Sequence, residues 1–221
     1  MCRHFAQGRR SYGWVLHCCL AMLVGLGLFA PQASAETPVE AGYRDFDFGS
    51  IVNDTPTGEK PQRKVWWNDG SWWGILWDPA SNRYEIHKLN NSTQAWSSTN
   101  VAADTRGSAK GDALWDGTHL YLAFHIFTSN PQNVSPAQSA QLWRYSYDNS
   151  TDQYSLDLGF PVTINSSNSE TLVLTKDGTG QLWITWVQSG DVMINHSVGN
   201  DQTWGTPYRL PVQGNDTDGD D

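Results

Sequence analysis

The chain has 221 residues, 23 of them acidic and 14 basic, for a formal charge of −9. That excess of carboxylates argues against a nucleic-acid partner or an anionic membrane surface, both of which need a basic patch. Tryptophan is abundant at 12 residues, which supplies large side chains for a core or for stacking on a ligand.

Arg3, Arg9 and Arg10 precede an apolar run from Trp14 to Ala30. Pro31 breaks the run, and Ala33-Ser34-Ala35 follows. A charged start, an apolar middle and a small-x-small site are the three parts of a secretory signal, so residues 1–35 are expected to be removed on export. The run is shorter than the roughly 20 residues of a membrane span. No membrane span is expected after cleavage. Ser11-Tyr12-Gly13 after Arg9-Arg10 fits a twin-arginine signal poorly, so ordinary secretion to the outside or the cell surface is expected. Cys2, Cys18 and Cys19 all lie in this segment, which leaves the mature chain without disulfides or thiolate metal sites. Residues 36–63 are polar apart from Tyr43-Arg44-Asp45-Phe46-Asp47-Phe48. Their alternation suggests one strand, which either completes a ring by joining the last repeat or runs as an extended linker.

Three later segments share one layout: Val65 to Trp73, Ala113 to Tyr121 and Val173 to Trp183. Each is an apolar strand, an Asp-Gly pair and a strand rich in Trp, Tyr or Leu. The pairs are Asp69-Gly70, Asp116-Gly117 and Asp177-Gly178. Asp-Gly supplies the positive φ angles of a tight hairpin turn. A third strand is expected over Arg83–Leu89, Gln141–Asp148 and Asp191–Ser197. A polar turn and then an aromatic residue follow in each unit: Trp96, Tyr154 and Trp204. The spacing from 69 to 96 equals that from 177 to 204. The middle unit is longer because of Thr128–Ser139, a polar, Pro-containing stretch of the kind that collects in loops.

Successive four-strand meanders with no amphipathic helix predict an all-β protein, and their repetition predicts a β-propeller of four-stranded antiparallel blades. The blades would cover 64–106, 107–165 and 166–213. A β-sandwich is the alternative for short strands and frequent turns. Propellers typically close with about four to eight blades. Three blades therefore suggest a fragment with an incomplete ring, or closure by self-association.

The last turn reads Ser197-Val198-Gly199-Asn200-Asp201-Gln202-Thr203-Trp204. It resembles the Asp-box of sialidase-like propellers, S-x-D-x-G-x-T-W. Ser197, Thr203 and Trp204 match, while Gly199 and Asp201 stand where the motif has Asp and Gly. The resemblance implies the propeller fold, with this turn between the third and fourth strands of a blade. It does not bring sialidase activity with it, because the family's Arg-Ile-Pro signature and catalytic set find no counterpart here. The tail over 214–221, with Asn215-Asp216-Thr217-Asp218-Gly219-Asp220-Asp221, resembles the opening of a thrombospondin type 3 repeat. Asp216, Asp218 and Asp220 are the candidate Ca²⁺ ligands of such a D-x-D-G-D loop. A solvated acidic tail is the alternative.

Asp69, Asp116 and Asp177 are the carboxylates a glycosidase could pair, but their place in Asp-Gly turns favours a backbone role. His87, His119, His125 and His196 lack metal-site spacing. Asn-x-Ser/Thr sequons occur, among them Asn91, Asn149 and Asn195. The densest aromatic cluster is Trp66, Trp67, Trp72, Trp73 and Trp77. On a strand Trp72 points opposite to Trp73, and Trp73 points with Trp77, so one set can face solvent and stack on a sugar ring. The expectation is a secreted or cell-surface binding module whose partner is a glycan or a cell-surface molecule. A glycoside hydrolase completed outside this chain and a structural region of a calcium-dependent surface protein are the rival readings.

Overall fold

The computed structural model describes residues 62–126 and 140–214. The expected signal segment, the expected strand at Tyr43–Phe48, the stretch Thr128–Ser139 and the calcium candidates Asp216, Asp218 and Asp220 lie outside the described residues.

The described residues form three antiparallel sheets in chain order, with no helix among them. The first is a meander of β1 (Val65–Asn68), β2 (Ser71–Asp78), β3 (Arg83–Leu89) and β4 (Trp96–Ala102). The second runs through β5 (Lys110–Trp115), β6 (His119–His125), β7 (Ala140–Asp148) and β8 (Gln153–Leu156). A further short strand, β9 (Val162–Asn165), pairs with the start of β7 while β8 pairs with its end. The fourth position of this sheet is therefore shared by two segments. The third sheet is β10 (Glu170–Lys176), β11 (Leu182–Gln188), β12 (Asp191–His196) and the two-residue β13 (Tyr208–Arg209). None of the sheets closes on itself. The all-β expectation holds, and strands occupy the three stretches expected after the second strand of each unit.

Side-chain alternation explains how the sheets stack. In β6, Leu120, Leu122 and Phe124 enter one core with Trp66, Trp73, Ile75, Trp77 and Tyr84 of the first sheet. Tyr121 and Ala123 enter a second core with Leu172, Leu174, Leu182, Ile184 and Trp186 of the third. The middle sheet is thus buried on both faces, and β6 accordingly reads as a nearly unbroken apolar run. By contrast β10 alternates, with Leu172 and Leu174 buried and Val173 and Thr175 more exposed, because only one of its faces meets another described sheet. Apolar burial of this kind contributes about 25 cal/mol per Å².

A polar knot ties the β5 and β10 edges of the second and third sheets to the residues just before β1. Asp112 of β5 is fully buried. Its Oδ1 accepts from the Arg63 backbone N–H at 2.7 Å and from Arg63 Nε at 3.1 Å, and its Oδ2 from Arg63 Nη2 at 2.7 Å and the Leu174 N–H at 2.8 Å. Arg63 Nη2 also donates to the Leu174 carbonyl, and Gln62 Nε2 to the Leu172 carbonyl at 2.7 Å. The backbone carbonyls of Lys64 and Arg63 accept from Ile75 and Ala113 at 2.9 Å each. The described end of the 36–63 segment therefore crosses from the first sheet to the strands β5 and β10. A buried carboxylate is tolerated when all its lone pairs are engaged in this way. Lys64 donates to Gln62 Oε1 at 3.1 Å and to the Gly111 carbonyl. Burial pushes its ammonium down to about 8, against the pull of Asp112 and with a smaller push from Lys110.

The three Asp-Gly pairs do not make one kind of turn, which corrects the sequence expectation. Asp69 (φ 48°) and Gly70 (φ 71°) form the tight two-residue turn with both residues left-handed. At the second pair only Gly117 (φ 92°) is left-handed, and Asp116 Oδ1 closes the turn by accepting from the Thr118 and His119 N–H groups at 2.8 and 2.7 Å. At the third, Gly180 (φ 88°) and not Gly178 is left-handed, and Asp177 Oδ1 accepts from Thr179 and Gln181. The place of the dipeptide in the turn decides this. Asp69 and Gly70 are the two central residues between the paired Asn68 and Ser71, where a tight turn takes both left-handed. Asp116 and Asp177 instead precede their turns, bonding His119 and Gln181 through the backbone, and their carboxylates form Asx turns.

Candidate ligand-binding site at the first hairpin

The β1–β2 hairpin presents different chemistry on its two sides. Trp67 and Trp72 are Cα partners across it, so their indoles share a face. They are 51% and 43% exposed and meet edge to face, with ring centroids 5.4 Å apart and planes at 74°. Val65 is exposed and Trp96 half-buried beside them. Between these side chains lies Gly74, where an added Cβ would sit 3.3 Å from both Val65 and Trp96. Trp66, Trp73 and Trp77, also candidates for ligand contact, are buried on the opposite face, at 6%, 0% and 1% exposure. They are core residues, and of the five only Trp67 and Trp72 can meet a ligand. Alternation along a strand requires that split.

At the tip of the hairpin, on the side of the second sheet, an open cleft of about 410 Å³ is lined by Asn68, Asp69, Trp115, Gly117, Thr118, Tyr147 and Asn149. Its aromatic wall is a packed group. Tyr147 lies 6.5 Å from Trp115 and 4.8 Å from Tyr154, and Trp115 lies 5.9 Å from Tyr154. Trp73 backs the group, 5.7 Å from Tyr147 and 5.0 Å from Tyr154. Tyr154, one of the repeat aromatics, is buried; its hydroxyl accepts from Trp66 Nε1 and Asn68 Nδ2 at 2.9 Å each. Those contacts hold Asn68 at the cleft edge.

The polar groups are arranged around Tyr147. Its hydroxyl lies 2.8 Å from Asp69 Oδ2 and 2.6 Å from Asp152 Oδ1. Burial and then the two carboxylates push the phenol well above its usual range, so it stays protonated. Asp152 is held below the usual carboxylate range by its hydrogen bonds from Lys88 and Tyr147. Lys88 ion-pairs with Asp152 and sits 5.0 Å from the Trp73 ring centroid. Because the tight turn does not use its carboxylate, Asp69 is free to face Tyr147. Asp116 and Asp177 are spent on their own turns, and Asp116 also pairs with Lys176 at 2.5 Å.

Asp69 and Asp152 share the Tyr147 hydroxyl between them. The histidines are dispersed: His87 and His125 are buried, and His119 and His196 half-buried. Among the described residues no group of three or more His, Cys, Asp or Glu is placed to hold a metal ion, and no helix is long and apolar enough to cross a membrane.

The Asp-box-like turn is closed by backbone and by Asn200. Ser197 bridges to Trp204, the Val198 N–H donates to the Thr203 carbonyl at 2.8 Å, and Asn200 Oδ1 accepts from Gln202 and Thr203 at 2.8 and 2.7 Å. Asp201 faces the second sheet, accepting from Tyr121 Oη and Arg144 Nη1 at 2.8 Å each. Trp204 packs on the second core. Hollows near this turn are lined by turn residues (Thr179, Gln181, Asn200) or by Trp204 alone among aromatics, so they offer less stacking surface than the first hairpin.

Sequence reasoning missed Trp115, Tyr147, Asn68 and Thr118 as cleft residues. They come from two different repeats, and only the stacking of the sheets brings them together. No family model, curated protein or solved structure matches the chain.

Proposed function

We propose that this chain is an exported β-propeller-type binding module that recognises carbohydrate at its first hairpin. The signal-like N-terminus supports export. Three antiparallel sheets of four or five strands, stacked face to face in chain order, support the propeller layout with each sheet as a blade. The observation that carries the ligand class is the Trp115–Tyr147 cleft at the hairpin tip, where amides, hydroxyls and a carboxylate converge on a partly exposed aromatic wall. The exposed Trp67–Trp72 pair lies on the opposite face of the same hairpin and offers a second stacking surface. Sugar rings offer C–H faces to aromatic planes and hydroxyls to such polar groups. The test is glycan-array screening and calorimetry on the purified protein and its Trp72→Ala and Trp115→Ala variants. Binding that falls about tenfold or more in a variant with an unchanged near-ultraviolet spectrum supports the reading, since one exposed aromatic anchor is worth a kcal/mol or more. A folded protein that retains no glycan at all overturns it.

A second reading has its own observation. The outer face of the third sheet carries Trp183, Ile194 and the exposed Tyr208, which share a side by register. Like the Val65–Trp67–Trp72 face it is apolar, and no described sheet covers either. The two faces suit head-to-tail packing of copies, a heterologous contact.

A further inference from the structure

We infer that the cleft at the first hairpin takes neutral, hydroxyl-rich sugars and excludes sugars bearing a carboxylate. The inference rests on the carbohydrate-binding reading above and names the ligand class of that same site.

The lining carries one charge, and it is negative. Asn68, Trp115, Gly117, Thr118, Tyr147 and Asn149 are neutral, and Asp69 is the acid. Asp69 Oδ2 faces the Tyr147 hydroxyl at 2.8 Å, which leaves Oδ1 to accept from a ligand hydroxyl. The two lysines whose carboxylate partners touch or adjoin the lining are already committed: Lys88 to Asp152, which bonds Tyr147, and Lys176 to Asp116, which lies between Trp115 and Gly117. An incoming carboxylate would meet Asp69 with no uncommitted cation among these side chains to receive it. It could recruit a partner only by breaking an existing pair and leaving that acid uncompensated. The chain's formal charge of −9 adds repulsion at longer range. A neutral ring meets none of these costs. It can lay a C–H face on Trp115 or Tyr147 and give hydroxyl protons to Asp69, with the side chains of Asn149 and Thr118 as further partners. The sialidase-like resemblance in the last turn would suggest acidic sugars; the charges around this cleft point the other way.

The experiment is calorimetry on the full exported chain with two probe sets. One is neutral oligosaccharides of glucose, xylose and galactose; the other is sialyllactose and oligogalacturonate. Neutral sugars are expected to bind at least about tenfold more tightly than acidic ones, since like charges at a contact cost that much or more. Asp69→Asn keeps the left-handed turn that Asn-Gly also favours. It should weaken neutral binding several-fold and narrow the neutral-to-acidic ratio, and wild-type binding of neutral sugars should change little with salt. Acidic probes bound as tightly as neutral ones would overturn the inference and leave the carbohydrate reading standing. Binding of neither set would sink both. Neutral binding untouched by Asp69→Asn and by Trp115→Ala would place the ligand elsewhere and overturn the inference.

Discussion

Tyr147 reaches from the second sheet to the tip of the first hairpin, where its hydroxyl lies 2.8 Å from the Asp69 carboxylate although the two residues are 78 positions apart. The same hydroxyl also meets Asp152 at 2.6 Å. One phenol proton thus serves two acids in two sheets. Tyr147→Phe keeps the ring and removes the hydroxyl. It should cost about 1.5–3 kcal/mol, the range for a hydrogen bond to charged groups, seen as a lower urea midpoint with an unchanged m-value. It should also loosen the cleft wall and weaken sugar binding.

Neighbouring tryptophans should respond in opposite ways. Trp73 is fully buried and Trp72 is 43% exposed. Trp73→Ala should cost about 3–5 kcal/mol, the range for emptying a core aromatic site. Trp72→Ala should stay within about 1 kcal/mol of wild type while losing ligand affinity. Chemical denaturation alongside a binding titration separates the two effects.

Asp112 carries the knot between the sheets, and every hydrogen bond it accepts comes from Arg63 or Leu174. Asp112→Ala leaves donors buried without an acceptor and should destabilise by about 3–5 kcal/mol. Arg63→Ala in the Asp112→Ala background should then add little. A double-mutant cycle read by urea unfolding checks that coupling.

Lys64 gives stability an alkaline slope. Its folded value, about 8, lies below the ordinary lysine value of 10.5, so between those pH values the unfolded chain binds more protons than the folded one. Stability then rises with pH across that window. Below about pH 8 the buried charge is a standing cost. The urea midpoint of wild type should climb from pH 8 towards 10, and Lys64→Gln should flatten the climb. On the acid side, Asp116 and Asp152 are held below the usual carboxylate range. Their contribution is present above the unfolded value near 3.9 and is lost as pH falls through their folded values.

If the outer faces of the first and third sheets pack on one another, light scattering should show mass rising with concentration. Trp67→Ser and Tyr208→Ser should each reduce it, because a heterologous contact needs both faces. A constant monomer mass from micromolar to near-millimolar protein would remove the head-to-tail reading.

Much of this architecture is legible in the sequence, and the reason is period two. The alternation of Trp72 against Trp73 separates surface from core, and the Asp-Gly pairs mark the first turn of each unit. What alternation cannot reveal is which repeats touch. Tyr147 looks like any strand aromatic until the second sheet is laid on the first, and Asp112 looks like a polar strand start until Arg63 closes over it. The turn types also escape, because Asp69, Asp116 and Asp177 share a dipeptide that sits at different places in the three turns. The exposed Trp67–Trp72 pair is legible because it is local to one hairpin, whereas the cleft is assembled from two repeats.

The short segment Gln62–Lys64 also couples the repeats. Arg63 bonds Asp112 and the Leu174 carbonyl, 49 and 111 positions downstream, and the Lys64 carbonyl accepts from Ile75 of the first sheet. Loosening any one sheet therefore removes contacts that hold the other two, a coupling that repeats touching only their neighbours would lack.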